Sequence, residues 1–111
     1  MTDPSKILLT GVNTGGLAAL HWTNLVYKLY QYPFATKVLC APDSAFFINY
    51  ESYSTKTKLY EKKMKSLFGL SGFNANVLTN TGCDQKFVKE PWQCMFPANF
   101  IKDVKAPVFI I

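Results

Sequence analysis

A short apolar run, Lys6-Ile7-Leu8-Leu9-Thr10, leads directly into Gly11-Val12-Asn13-Thr14-Gly15-Gly16 and then into an amphipathic segment. An unbroken apolar run of this length, with a Pro-Ser turn before it and glycine after it, is the pattern of a strand buried on both faces. A strand, a glycine-flanked turn and a helix in succession are the layout of a nucleophile elbow. The elbow residue sits in a tight turn with positive φ, a conformation that asparagine tolerates better than most residues. Asn13 occupies that position. An amide cannot be deprotonated to attack a carbonyl as a serine hydroxyl is, and it cannot form an acyl intermediate. The shape of a catalytic turn is therefore present without its reactive atom.

The order of the following elements extends the pattern. From Thr14 to about Tyr30, residues Ala18, Trp22, Leu25 and Leu29 fall on one stripe at helical spacing, with Asn24 and Lys28 off it. Tyr32-Pro33 should end this helix. Lys37-Val38-Leu39-Cys40 reads as a second strand stopped by Ala41-Pro42, and the strand-helix-strand unit calls for parallel pairing. Asp43-Ser44-Ala45-Phe46-Phe47 then lies at the carboxyl end of that strand, where open α/β sheets place ligands. Residues 57–68 read as a lysine-rich helix with Leu59, Met64 and Phe68 inward and Lys58, Lys62, Lys63 and Lys65 outward. Its lysines are first of all a solvated face. Residues 69–91 turn to Ser, Gly, Asn, Thr and Asp, the composition of a long irregular segment, and residues 107–111 form a last apolar strand. The fold class is α/β, a fragment of a doubly wound parallel sheet. It is a single partial domain over residues 1–111 with a cap-like irregular insertion at about 69–98.

Composition narrows the partners. A hydrophobic fraction of 49% with 17% charged residues is that of a folded chain. The net charge is +5, but every basic residue is lysine, so the bidentate fork that reads guanine or clamps phosphate is absent. Nucleic acid is not an expected partner. No apolar stretch reaches the roughly 20 residues of a membrane span, and Met1-Thr2-Asp3-Pro4-Ser5 lacks the start of a signal peptide. Cys40, Cys83 and Cys94 are odd in number and contain no CxxC pair, which argues against a zinc site. No metal or cofactor is implied. In an oxidising compartment Cys83 and Cys94, which flank one turn-rich loop, should pair, while Cys40 at the end of a buried strand should stay a thiol.

Four blocks in order carry a resemblance. Residues 9–21, from Leu9 to His21, resemble the elbow of the pectin acetylesterase and Notum family, which reads Gly-Cys-Ser-Ala-Gly-Gly followed by Leu-Ala and a nearby His. Residues 37–47 look like the family strand ending in Asp-Ser-Gly or Asp-Ala-Gly. Trp92-Gln93-Cys94-Met95-Phe96-Pro97 looks like its Cys-Phe-Phe-Pro segment, and residues 101–111 look like the strand leading to its acid. The resemblance covers nearly all of the chain and about the middle third of a complete member. It implies an α/β-hydrolase fold and the removal of acyl groups by serine, aspartate and histidine, from pectin or from a lipidated signalling protein. Carried over, the serine falls on Asn13 and one oxyanion donor on the backbone amide of Thr14. The triad acid and histidine would follow the strand at 107–111, and a Gly-rich oxyanion loop would precede the elbow strand. Sheet edges would then need further segments or a partner chain to cover them. The family is secreted, which leaves localisation open for a chain that starts as this one does.

The remaining polar residues have simpler readings. His21 is a packed or hydrogen-bonded structural histidine, with no nucleophile suited to pair with it. Asp43 should accept backbone hydrogen bonds in its loop. Asp43, Ser44 and Trp92 are the candidate substrate-lining residues, with Trp22 and Trp92 read first as core or cap packing. Three functions follow in order: a truncated, catalytically inactive family member, a non-catalytic binding module for an acylated or acidic polysaccharide, and part of a longer active O-deacetylating esterase.

Overall fold

The computed structural model describes residues 4–31, 36–70 and 75–111. Strand β1 (Lys6–Val12) pairs in parallel with strand β2 (Lys37–Asp43), in a register that sets Ile7 beside Val38, Leu9 beside Cys40 and Val12 beside Asp43. Helix α1 (Thr14–Gln31) makes the crossover between them. Residues 107–111 add a third parallel segment on the far side of β2. Cys40 N–H donates to Pro107 O at 3.0 Å, Phe109 N–H to Cys40 O at 2.8 Å and Ile111 N–H to Pro42 O at 3.0 Å. The expected parallel strand-helix-strand unit is therefore present. β2 does not stop at Ala41-Pro42 but runs through it, because proline lacks only the donor and the Pro42 carbonyl still accepts from Ile111.

The sheet is covered on one face only among the described residues. Leu9 packs into the core and Val38 and Cys40 are buried, whereas Leu8 is 60% and Val12 66% exposed, with Leu39, Phe109 and Ile111 exposed too. This corrects the expectation of a first strand buried on both faces. A continuous apolar run records that both faces prefer cover, and here α1 supplies it to one.

The stripe read on α1 is also corrected. Trp22 and Leu29 are exposed and Leu25 only half-buried, while Gly16, Leu17, Ala19, Leu20, His21 and Thr23 are buried. The packed face is rotated about one residue from the apolar stripe. Three polar side chains can lie on it because each has a partner. Thr23 Oγ1 donates to Ala19 O at 2.6 Å, and His21 Nε2 bonds Cys94 O at 2.8 Å. Asn24 Nδ2 donates to Asn80 O at 3.0 Å and to Asp103 O at 2.7 Å, while its Oδ1 accepts from Lys105 N–H at 2.7 Å. Buried polar groups are tolerated when they are satisfied in this way. The expected stop at Tyr32-Pro33 lies outside the described residues.

Beyond β2, residues 44–58 form an open loop that leads into helix α2 (Leu59–Leu70). Met64 is buried and Phe68 packs on the core as expected, but Leu59 at the helix start is 48% exposed. The segment read as irregular, to about residue 98, holds short helices among its described residues, α3 (Ala75–Leu78), α4 (Cys83–Lys86) and the 3₁₀ turns Pro91–Met95 and Pro97–Asn99, and a further 3₁₀ turn, Ile101–Asp103, follows it. Its turn-forming composition is compatible with single helical turns, which need little propensity once packed. The Cys83–Cys94 disulfide, 6.0 Å between Cα atoms and fully buried, ties α4 to the first 3₁₀ turn, and Cys40 is a buried free thiol. Leu17, Leu20, Leu78, Met95, Phe96 and Phe100 close the core around that bridge.

Candidate functional site at the strand-to-helix turn

Asn13 is the single residue between β1 and α1, and its φ is 58°. Its N–H donates to Asp43 O at 2.9 Å, which fastens the turn to the carboxyl end of β2. Its carbonyl accepts from Gly16 N–H at 3.1 Å and Leu17 N–H at 3.2 Å, so it opens the helix. The first N–H groups of a helix have no intrahelical acceptor, and Thr14 N–H belongs to that set at the positive end of an 18-residue helix. Both Asn13 and Thr14 are exposed. An exposed carboxamide beside free helix N–H groups can hold a carbonyl or carboxylate oxygen, but it offers no nucleophile.

Two glycines make the turn sterically possible. A Cβ on Gly11 would lie 2.4 Å from the backbone C and O of Gly15, and one on Gly16 would lie 2.5 Å from Ala45 Cβ and 2.7 Å from Gly11 O. Helix and strand therefore approach as closely as backbones allow. Gly15 meets nothing within 4 Å, so it is free of that constraint.

Asp43 and Ser44 stand next to the turn. Ser44 has φ 50°, and its Oγ donates to Asp43 Oδ1 at 2.7 Å. The Asp43 carboxylate thus takes a side-chain hydroxyl, where backbone donors were expected, and it is the Asp43 carbonyl that accepts a backbone N–H. Trp92 is held elsewhere: its ring meets Phe96 edge-on with centroids 6.3 Å apart, and Lys65 Nζ lies 4.2 Å above it. Among the described residues no hydrogen bond or ring contact links Trp92 to Asn13, Thr14, Asp43 or Ser44. Trp92 is half-buried and packs against the core, whereas Trp22 is 41% exposed.

His21, the only histidine, is fully buried and stacks on Phe100 with ring centroids 4.1 Å apart. Burial pushes its pKa down to about 4, with the Cys94 hydrogen bond opposing that shift. It is a neutral structural ring. Asn24, which crosslinks α1 to the turn after α3 and to the segment before residues 107–111, was missed by the periodicity reading. Its signal was an asparagine mid-helix, a poor helix former whose presence there points to a specific partner. Among the described residues no group of three or more His, Cys, Asp or Glu side chains is placed to hold a metal, and no helix is long and apolar enough to cross a membrane.

The family model described as Pectinacetylesterase matches residues 1–111. Pectin acetylesterase 5 of Arabidopsis thaliana is 32% identical over 117 residues, spanning 100% of this chain and 24% of that protein. The structure of the Wnt deacylase Notum from Drosophila aligns with a TM-score of 0.74 at 18% identity, over 98% of this chain and 31% of the Notum chain. The fold is accordingly a fragment of an α/β-hydrolase-like domain, and the chain spans about a quarter of the curated relative it matches.

Proposed function

The chain belongs to the pectinacetylesterase family, and from that premise we propose that it is the elbow-bearing portion of a carboxylic-ester hydrolase domain, catalytically silent at its own elbow. The observation that carries this reading is Asn13, set at φ 58° between β1 and α1 where such a fold presents its nucleophile. The backbone amide of Thr14 is the matching candidate for an oxyanion donor. Asp43 and Ser44 line the same edge of the sheet and would meet a bound acyl group or its alcohol, whereas Trp92 would act at a distance through the cap. His21 is tied to Cys94 in the core, which removes the one histidine of these residues from service as a base for the elbow.

A second reading, a binding module for an acylated or acidic polysaccharide, is favoured by the preserved turn. The Asn13 carboxamide and the Thr14 N–H can hold an ester carbonyl without attacking it. An active esterase remains the third reading, with the nucleophile supplied by another residue of a longer protein.

Hydrolysis of nitrophenyl acetate separates these. No turnover above buffer is expected, and Asn13→Ser alone should restore none, since an unactivated serine hydroxyl is a weak nucleophile. Turnover abolished by one substitution near the elbow would overturn the inactive reading, and an acyl mass increase on the Asn13→Ser protein would overturn the expectation that serine alone restores nothing.

A further inference from the structure

The tripeptide Asn-Thr-Gly occurs twice in the chain, at residues 13–15 and 80–82, so one local chemistry is set in two environments. Asparagine is thermolabile because the backbone nitrogen that follows it can attack its side-chain carbonyl carbon, closing a cyclic imide that water reopens to an acid. Closure needs a side chain that can turn and a following N–H that is not engaged. The fold decides both.

At residues 80–82 both are engaged. Thr81 is buried and its N–H donates to Leu78 O at 3.4 Å, while Asn80 Nδ2 is buried and Asn80 O accepts from Asn24 Nδ2 at 3.0 Å. At residues 13–15 neither is. Asn13 and Thr14 are exposed, and among the described residues neither the Asn13 carboxamide nor the Thr14 N–H makes a hydrogen bond. The other asparagines whose burial is described, Asn24, Asn49, Asn80 and Asn99, are all half-buried, and Asn24, Asn49 and Asn99 each donate from Nδ2. The Asn13 backbone is meanwhile fixed: its N–H bonds Asp43 O and its carbonyl takes the Gly16 and Leu17 N–H groups, at φ 58°. Only side-chain torsions are left to be ordered for closure, which lowers its entropic cost. Thr14 also opens α1, and the positive end of that helix favours the anion its nitrogen becomes on losing a proton.

We propose that Asn13 is a self-modification site, at which the elbow carboxamide is converted to a carboxylate. The Thr14 nitrogen loses its proton and bonds to Asn13 Cγ, and the carboxamide nitrogen leaves as ammonia, taking up that proton. Water then breaks the new C–N bond, returning the hydrogen to the Thr14 amide and leaving a carboxylate on residue 13. Water is the co-reactant and nothing is oxidised or reduced. The product charge stands at the N-terminus of α1, where it is favoured. A carboxylate only accepts hydrogen bonds, so the modified elbow can no longer donate to a carbonyl oxygen as the carboxamide can.

A time course of intact mass and peptide mapping tests this on folded protein carrying this chain, at mildly alkaline pH with no ester present, beside the same protein in urea. In the folded protein the 13–15 peptide should gain the mass difference of O for NH about tenfold faster than the 80–82 peptide, or more, and in urea the two should convert at like rates. Hydroxylamine should trap the imide at residue 13. Asn13→Gln, whose ring would be one atom larger, should abolish the gain there and leave the other asparagines converting as before. Equal rates at the two tripeptides in the folded protein, faster conversion at 80–82, or conversion at 13 with no trappable imide would overturn the proposal. Because no ester takes part, turnover in the nitrophenyl acetate assay would overturn the inactive elbow and leave this site standing.

Discussion

Substituting alanine at each glycine of the elbow in turn should give three different results from one chemical change. A Cβ at Gly16 would stand 2.5 Å from Ala45 Cβ and 2.7 Å from Gly11 O, and one at Gly11 would stand 2.4 Å from Gly15 C and O. Carbon atoms in contact prefer about 3.5–4.0 Å, so either substitution demands a displacement of about 1 Å. Most of the obstructing atoms are backbone, which cannot rotate away, so helix and strand must separate. Overpacking of this kind costs about 3 kcal/mol or more, at the upper end of the usual range. For a domain of this size that is a fall of about 12 °C or more in the unfolding midpoint. Gly15→Ala meets nothing within 4 Å and removes only a flexible helix residue, so it should gain about 0.5 kcal/mol. Thermal and urea denaturation of the three variants beside the parent measure the contrast. A Gly16→Ala protein as stable as the parent, or a Gly15→Ala protein as unstable as Gly11→Ala, would refute the close approach of α1 to β1.

Asn13→Gly should retain or slightly raise stability, and Asn13→Val should lose about 1–2 kcal/mol because a bulkier Cβ resists φ 58°; chemical denaturation distinguishes them. Reducing the Cys83–Cys94 bridge should cost about 2.8 kcal/mol by the loop-closure entropy of an 11-residue separation, seen as a lower midpoint in reductant. Cys40 should resist iodoacetamide in the folded protein and react in denaturant, since it is buried and its pKa is raised by desolvation against a Thr23 hydrogen bond. For His21 the folded pKa of about 4 lies below the ordinary 6.5, so the unfolded state binds the extra proton. Its contribution is complete above pH 6.5 and is lost as the pH falls through 4, by roughly 3 kcal/mol in total. His21→Phe should flatten that slope in a pH series of unfolding midpoints.

What the sequence determines by itself is what neighbouring residues decide. The alternation of apolar run, turn and helix, the parallel pairing of β1 with β2, and the positive φ at Asn13 follow from local sterics and from the short connections of a crossover unit. Cys83 and Cys94 were legible as a pair because one loop joins them. The tertiary structure decided whatever depends on a distant surface. Trp22 and Leu29 of α1 are more apolar than His21 and Asn24, yet the polar two face the interior, because the Cys94, Asn80 and Asp103 carbonyls lie where they can be reached. Periodicity cannot see those acceptors, which are 56 to 79 residues away along the chain. The same reason separates Leu9 from Leu8: adjacent leucines in one apolar run meet opposite fates, since strand geometry sends them to opposite faces and α1 covers only one.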